Sequence, residues 1–210
     1  MRKVNLIIIF ILFNNFIFVN LQSQINNTIV VKVGNSLITS LDVQNEIITN
    51  LIINNQELTQ NNINNNKNYA IKNLISKSIK SSEIKKYKIK NYNKKDLQNY
   101  IENVAKNLNI NQSGLKEIFK QSNIDYKTFV EKFEIELLWN TLIFKIYRNQ
   151  ININIVDVDT EIKNFKESKS EEEFKEFKKN ILNKKREEKL NLFSRSHFSN
   201  LENSVAINFQ

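Results

Sequence analysis

The chain has 210 residues, a formal charge of +9, one histidine and two glycines, and it lacks cysteine and proline. Without cysteine there is no disulfide, thiol nucleophile or cysteine-ligated metal, whatever the redox state of the compartment. Setting aside Arg2 and Lys3 of the leader leaves +7, with Lys and Glu interspersed rather than blocked, which suits a solvated helical surface and argues against a nucleic-acid partner.

The first residues read as an address. Met1-Arg2-Lys3 is a short basic start, and Val4 to Val19 is apolar except for Asn5, Asn14 and Asn15. A spanning helix needs roughly 20 predominantly apolar residues. The Asn14-Asn15 pair cuts this run to a length typical of a signal peptide, so residues 1–23 are expected to be removed near Ser23. Membrane contact is expected only if the leader is kept.

Ile29 to Thr39, IVVKVGNSLIT, predicts two short strands around a Gly34-Asn35 turn. Thr39 or Ser40 caps a following helix, with Asp42 in its first turn. Asn54 to Asn66 is Asn-rich and predicts a loop. Helices are then expected from about Lys67 to Ile89 and from Lys94 to Leu108 with Asn93 as cap, followed by a short one over Leu115, Ile118 and Phe119.

Asp125 to Arg148 is the longest apolar-periodic stretch. Tyr126, Phe129, Val130, Phe133, Leu137 and Phe144 share one face; Ile135, Leu138, Trp139, Leu142 and Ile146 share the opposite one. A helix apolar all round is either enclosed or offers its second face to a partner. The second face is thus either covered by the C-terminal helix or left as a groove beside it. Phe133, Leu137, Trp139, Leu142, Phe144 and Ile146 are the candidate lining of such an apolar, client-binding cleft.

Ile151 to Ile155 suggests a brief extended piece and Asp157 to Phe165 one more short helix. Residues 24–166 form one helical domain, and 167–170 a short linker. Residues 171–210 form a C-terminal helix and strand that return to it. Within that last segment Asn183 to Lys189, NKKREEK, has no apolar residue and reads as two solvated helical turns, with a hinge or nucleic-acid patch as the sharper alternative. Val205 to Phe209 alternates like a strand, and a terminal strand needs a partner; the segment Ile29 to Val33 is the expected one.

No catalytic constellation emerges. His197 has no sequence-adjacent carboxylate pair and suits a surface or packing role rather than metal binding. Lys32 to Ser36 lacks a phosphate-loop pattern, and Asp157, Asp159 and Glu171 to Glu173 fit helix starts better than a calcium loop. No cofactor is expected.

The run Ile29 to Val43 resembles the opening of the SurA family, an extended Val-Gly-Asn-Ser-Leu-Ile-Thr stretch leading through Asp42-Val43 into a first helix. Asn68 to Ile75 is similar to that family's second helix, Ile124 to Phe129 to the start of its long helix, and Phe198 to Ile207 to its C-terminal helix and strand. The resemblance implies a mainly α, multi-helix SurA/trigger-factor-like core module with a small β element pairing N- and C-terminal strands. It implies a periplasmic chaperone for unfolded outer-membrane β-barrel precursors, handing them to the outer-membrane insertion machinery. Family members often carry parvulin-type prolyl isomerase domains at the position of 167–170. Only about ten residues separate Phe165 from Phe174, too few for such a domain. The implied activity is therefore holding, not catalysis. The alternatives are a relative of the peptidyl-prolyl isomerases with a degenerate or absent catalytic domain, and a membrane-tethered interaction protein.

Overall fold

A computed structural model of the chain describes residues 27–153, 158, 162 and 170–210. The expected signal peptide, the short helix expected from Asp157 except Val158 and Ile162, and the linker except Ser170 lie outside the described residues. The elements run β1 (Ile29–Val33), β2 (Ser36–Thr39), α1 (Ser40–Ile53), α2 (Gln60–Lys86), α3 (Lys94–Asn107), α4 (Gln112–Gln121), α5 (Tyr126–Tyr147), a 3-10 turn (Arg148–Gln150), α6 (Glu171–Ser204) and β3 (Ile207–Phe209). The fold is mainly helical with one three-stranded antiparallel sheet, as the sequence predicts.

The sheet joins the two ends of the described chain in the order β2-β1-β3. Gly34, at φ +55, makes the turn between β1 and β2, a conformation that glycine adopts without a Cβ clash. β3 pairs with β1 through Val31↔Phe209, Lys32↔Asn208 and Val33↔Ile207. The pairing is extended by Gly34 N–H donating to Ala206 O (2.9 Å) and Gln210 N–H donating to Val30 O (3.0 Å). Val31 and Val33 point into the core and Lys32 away from it, the period-2 alternation of a half-buried strand.

Local chemistry sets most helix boundaries. Thr39 and Asp42 cap α1 reciprocally, Thr39 Oγ1 accepting from Asp42 N–H and Asp42 Oδ2 accepting from Thr39 N–H. Ser170 and Glu173 repeat this box at the start of α6. At their C-termini α1, α2, α3 and α4 end alike. Asn55, Lys88, Asn109 and Asn123 each take φ between +52 and +56 immediately after the cap residue. The N–H of the next residue then donates five positions back: Gln56 to Leu51 O, Ile89 to Ile84 O, Ile110 to Ala105 O and Ile124 to Phe119 O. Glycine is the usual residue for this left-handed position, with asparagine next. A chain with two glycines uses asparagine three times and lysine once, and after three of these four stops the next residue, Ile89, Ile110 or Ile124, packs into the core.

Asn54 to Asn66 departs from expectation, since α2 already begins at Gln60. Thr59 caps it by accepting from Asn62 N–H. Gln60 and Asn66 spend their amides within the helix, on Asn64 Oδ1 and Asn62 O. Ile63 anchors the first turns in the core. Tertiary packing overrides the weak helix propensity of asparagine here. In α6 the stretch Asn183 to Lys189 is uninterrupted helix.

The core falls into clusters. One lies between the sheet, α1 and α2, and takes in Phe198, Leu201 and Val205 from α6 and its C-cap. A second fills the space among α1, α3, α4 and the first half of α5. A third joins the second half of α5 to α2 and α6. Ile181 of α6 packs with Val158 and Ile162 in a separate small cluster.

Candidate functional site

Helix α5 is the spine shared by the second and third clusters, and its two apolar faces have different neighbours. Tyr126, Phe129, Val130 and Phe133 face α3 and α4. Phe133 stacks on Tyr100 with ring centroids 3.6 Å apart, and its edge meets Phe129 at 5.3 Å. On the opposite side Trp139, Leu142 and Ile143 are fully buried, with Ile135, Leu138 and Ile146 packed around them under Leu190, Phe193, Phe198 and Leu201 of α6. Trp139 Nε1 donates to Ser194 Oγ at 2.8 Å, which satisfies the polar edge of the ring within the interface.

The six candidate residues are therefore not one surface. Trp139 and Leu142, with Ile146 beside them, are brought together beneath α6. Phe133 belongs to the α3–α4 side, Leu137 is half-buried, and Phe144 is half exposed, at 50%. Of the two arrangements open to the second face, α6 covers it. A cavity of about 360 Å³ remains beside it, lined by Asn140 and Ile143 of α5 and by Glu187, Leu190, Asn191 and Ser194 of α6.

A smaller and more apolar cleft lies between α1 and α2. It encloses about 230 Å³ and is lined by Val43, Ile47, Ile48 and Ile63, with Ser40, Gln44 and Lys67 at its rim. The periodicity of α1 marks its apolar side, but the partner residue Ile63 lies in the Asn-rich stretch that reads as loop.

Polar links fasten α5 to its neighbours. Lys132 Nζ lies 2.6 Å from both Glu46 Oε1 and Asn50 Oδ1 on α1, and Lys80 of α2 pairs with Glu136 at 2.7 Å. Tyr92, ahead of α3, donates to Glu134 Oε1 at 2.6 Å. That hydrogen bond first, then burial and the carboxylate's charge, pushes the Tyr92 phenol up to about 12; burial alone takes Tyr100 to about 12. A phenol that holds its proton more tightly folded than unfolded stabilises the fold below the ordinary value near 10. That contribution is lost as pH rises from there through about 12. Tyrosinate absorbance on alkaline titration should show these two phenols ionising last, with the melting temperature falling across the same window.

The sequence gives no hint of one further assembly. His197 on α6 sits between Glu83 of α2 and Tyr147 of α5. Its Nδ1 is 2.9 Å from the Tyr147 hydroxyl, its Nε2 is 3.4 Å from Glu83 Oε1, and its ring leans on Trp139. Glu83 is buried and also faces Lys86 at 3.3 Å. Burial, then Tyr87 nearby, raises the Tyr147 phenol above its ordinary value. No described nucleophile or electrophile completes this set, and its evident work is to tie α6 to α2 and α5. Among the described residues no group of three or more His, Cys, Asp or Glu could hold a metal ion, and no helix is long and apolar enough to cross a membrane.

No family model and no curated protein sequence matches the chain. A solved structure from Campylobacter jejuni is similar over 88% of this chain and 99% of its own, at 15% identity and a TM-score of 0.42. It comes from work describing PEB4 and Cj1289 as two structurally related SurA-like chaperones. That identity and that score are too low to assign this chain to a family.

Proposed function

We propose that the protein is an ATP-independent holdase of the periplasm, sheltering unfolded outer-membrane β-barrel precursors until the insertion machinery takes them. The order of SurA-like motifs along the chain supports this reading. The structural observation that carries it is the apolar α1–α2 cleft on a module whose first and last strands close on each other. Segments with apolar and aromatic side chains enter such clefts without exacting polar geometry, and burial supplies the affinity. A basic rim, here Lys67, speeds encounter with acidic clients.

Of the six α5 residues, Phe144 is the one a client meets directly on the closed molecule. Trp139 and Leu142 join a client surface only when α6 moves off them, with Phe133, Leu137 and Ile146 as partly covered margins.

Diluting a denatured barrel protein into buffer should give much less light scattering with a stoichiometric amount of this protein than without it. Ile63→Asn, at the half-buried wall of the cleft, should weaken that protection several-fold while a cooperative melt persists. Unchanged scattering with the parent protein would exclude holding, and a fully protective Ile63→Asn would move the client away from the α1–α2 cleft.

A further inference from the structure

A second groove, polar rather than apolar, lies on a different part of the surface. It encloses about 510 Å³ between β2, with the turn before it, and one face of α2. That volume is within the range of about 300–1,000 Å³ usual for ligand sites. β2 is an edge strand, paired with β1 on one side and, among the described residues, with no strand on the other. Its Leu37 is 53% exposed. The opposite wall carries Lys77, Ser78, Ser81 and Lys85 at helical spacing. Neither lysine has an ion-pair partner among the described residues. Ser78 Oγ is buried without a hydrogen-bond partner. Asp42 also lines the groove, but its Oδ2 already accepts from Thr39 N–H and Oγ1 at 2.8 and 2.7 Å.

We propose that this groove binds an extended peptide segment carrying two carboxylates, which adds as a fourth strand to the free edge of β2 and sets its acids against Lys77 and Lys85. Strand addition explains the affinity, because a sheet edge offers unpaired backbone groups to any chain of matching length. Charge explains the selection, since two lysines face one carboxylate that is engaged elsewhere. The spacing is specific. Eight residues of helix separate the lysines by about 12 Å, the length of about four residues of extended chain. Acids at positions i and i+4 of a strand point to the same side, so both reach the lysine wall. The inference stands apart from the holding role, which uses the α1–α2 cleft.

The test is fluorescence anisotropy with a labelled peptide, Glu-Thr-Val-Thr-Glu-Val, against its Lys-Thr-Val-Thr-Lys-Val counterpart. Two N-methylated forms of the Glu peptide each block the N–H groups of one edge. The Glu peptide should bind at least tenfold more tightly than the Lys peptide. One of the methylated forms, and not the other, should lose binding. The Lys77→Glu/Lys85→Glu variant, with one substitution at a half-buried and one at an exposed position and its fold checked by circular dichroism, should reverse the charge preference. No binding of the Glu peptide, equal binding of both charge forms, or indifference to which edge is methylated would each overturn the proposal. So would a folded double variant with unchanged preference.

Discussion

Cutting the chain before Ser170 should abolish its cooperative melting transition. The cut removes β3, and with it the backbone pairing that covers Val31 and Val33. It also removes α6, the lid over Ile84, Trp139, Leu142 and Ile143, together with the Trp139–Ser194 hydrogen bond. Fully uncovering one such side chain costs about 1.5–3 kcal/mol. Even half-uncovering six of them amounts to roughly 5–9 kcal/mol. An ordinary domain has about 5–15 kcal/mol in total, so the remainder has little or nothing left. Thermal denaturation of residues 27–169 followed by circular dichroism should show a broad, shallow change, and tryptophan emission should lie to the red of the full-length protein's. A sharp transition within a few degrees of the parent would mean that α1 to α5 fold alone and that the closure of the chain ends is incidental.

That dependence was visible in the sequence only in part. The alternation Val205-Ala206-Ile207 and the Val-rich start identify two strands in need of partners, and their pairing follows because each is too short to stand alone. The two faces of α5 are equally plain from spacing. What covers the second face is not, because periodicity shows that a face is apolar and says nothing about its neighbour. α6 itself is a weak signal. Its apolar residues are sparse, and NKKREEK carries no stripe, yet Lys, Arg and Glu are strong helix formers and keep it continuous.

The asparagines mislead in both directions. From Asn61 to Asn66 they suggest a loop where packing through Ile63 imposes a helix. At Asn55, Asn109 and Asn123 they mark left-handed helix stops that the compositional bias toward asparagine conceals. At Asn109 and Asn123 an asparagine followed by isoleucine after an apolar-periodic run is the readable form of that stop; Asn55, followed by Gln56, lacks it. The Glu83–His197–Tyr147 assembly lies beyond any such reading, since it joins three helices distant in sequence. The α1–α2 cleft was half legible for the same reason: Ile47 and Ile48 show in the pattern of α1, while Ile63 lies in a stretch with none.

Lys132→Met should be the most costly single polar substitution, destabilising the protein by about 2–3 kcal/mol. Glu46 is buried, and its carboxylate depends on Lys132 Nζ at 2.6 Å and on the Asn73 amide at 3.0 Å. Removing one partner of a buried pair costs about 3–5 kcal/mol, chiefly because the remaining charge is stranded. Lys132 keeps 22% of its side chain exposed, so water relieves part of that penalty and the lower figure applies. The substitution also strips Asn50 Oδ1 of the same ammonium, in a side chain whose Nδ2 already lacks a partner. The double variant Lys132→Met/Glu46→Leu should then recover most of the loss, as apolar residues of similar volume replace the pair without stranding a charge. Urea denaturation of the four proteins in this cycle gives the coupling directly. A coupling above about 1.5 kcal/mol identifies the pair as a fastener of α1 to α5. A single-variant cost below about 0.5 kcal/mol would make it no more than a surface ion pair, and apolar packing alone would then hold the wall of the α1–α2 cleft against the spine.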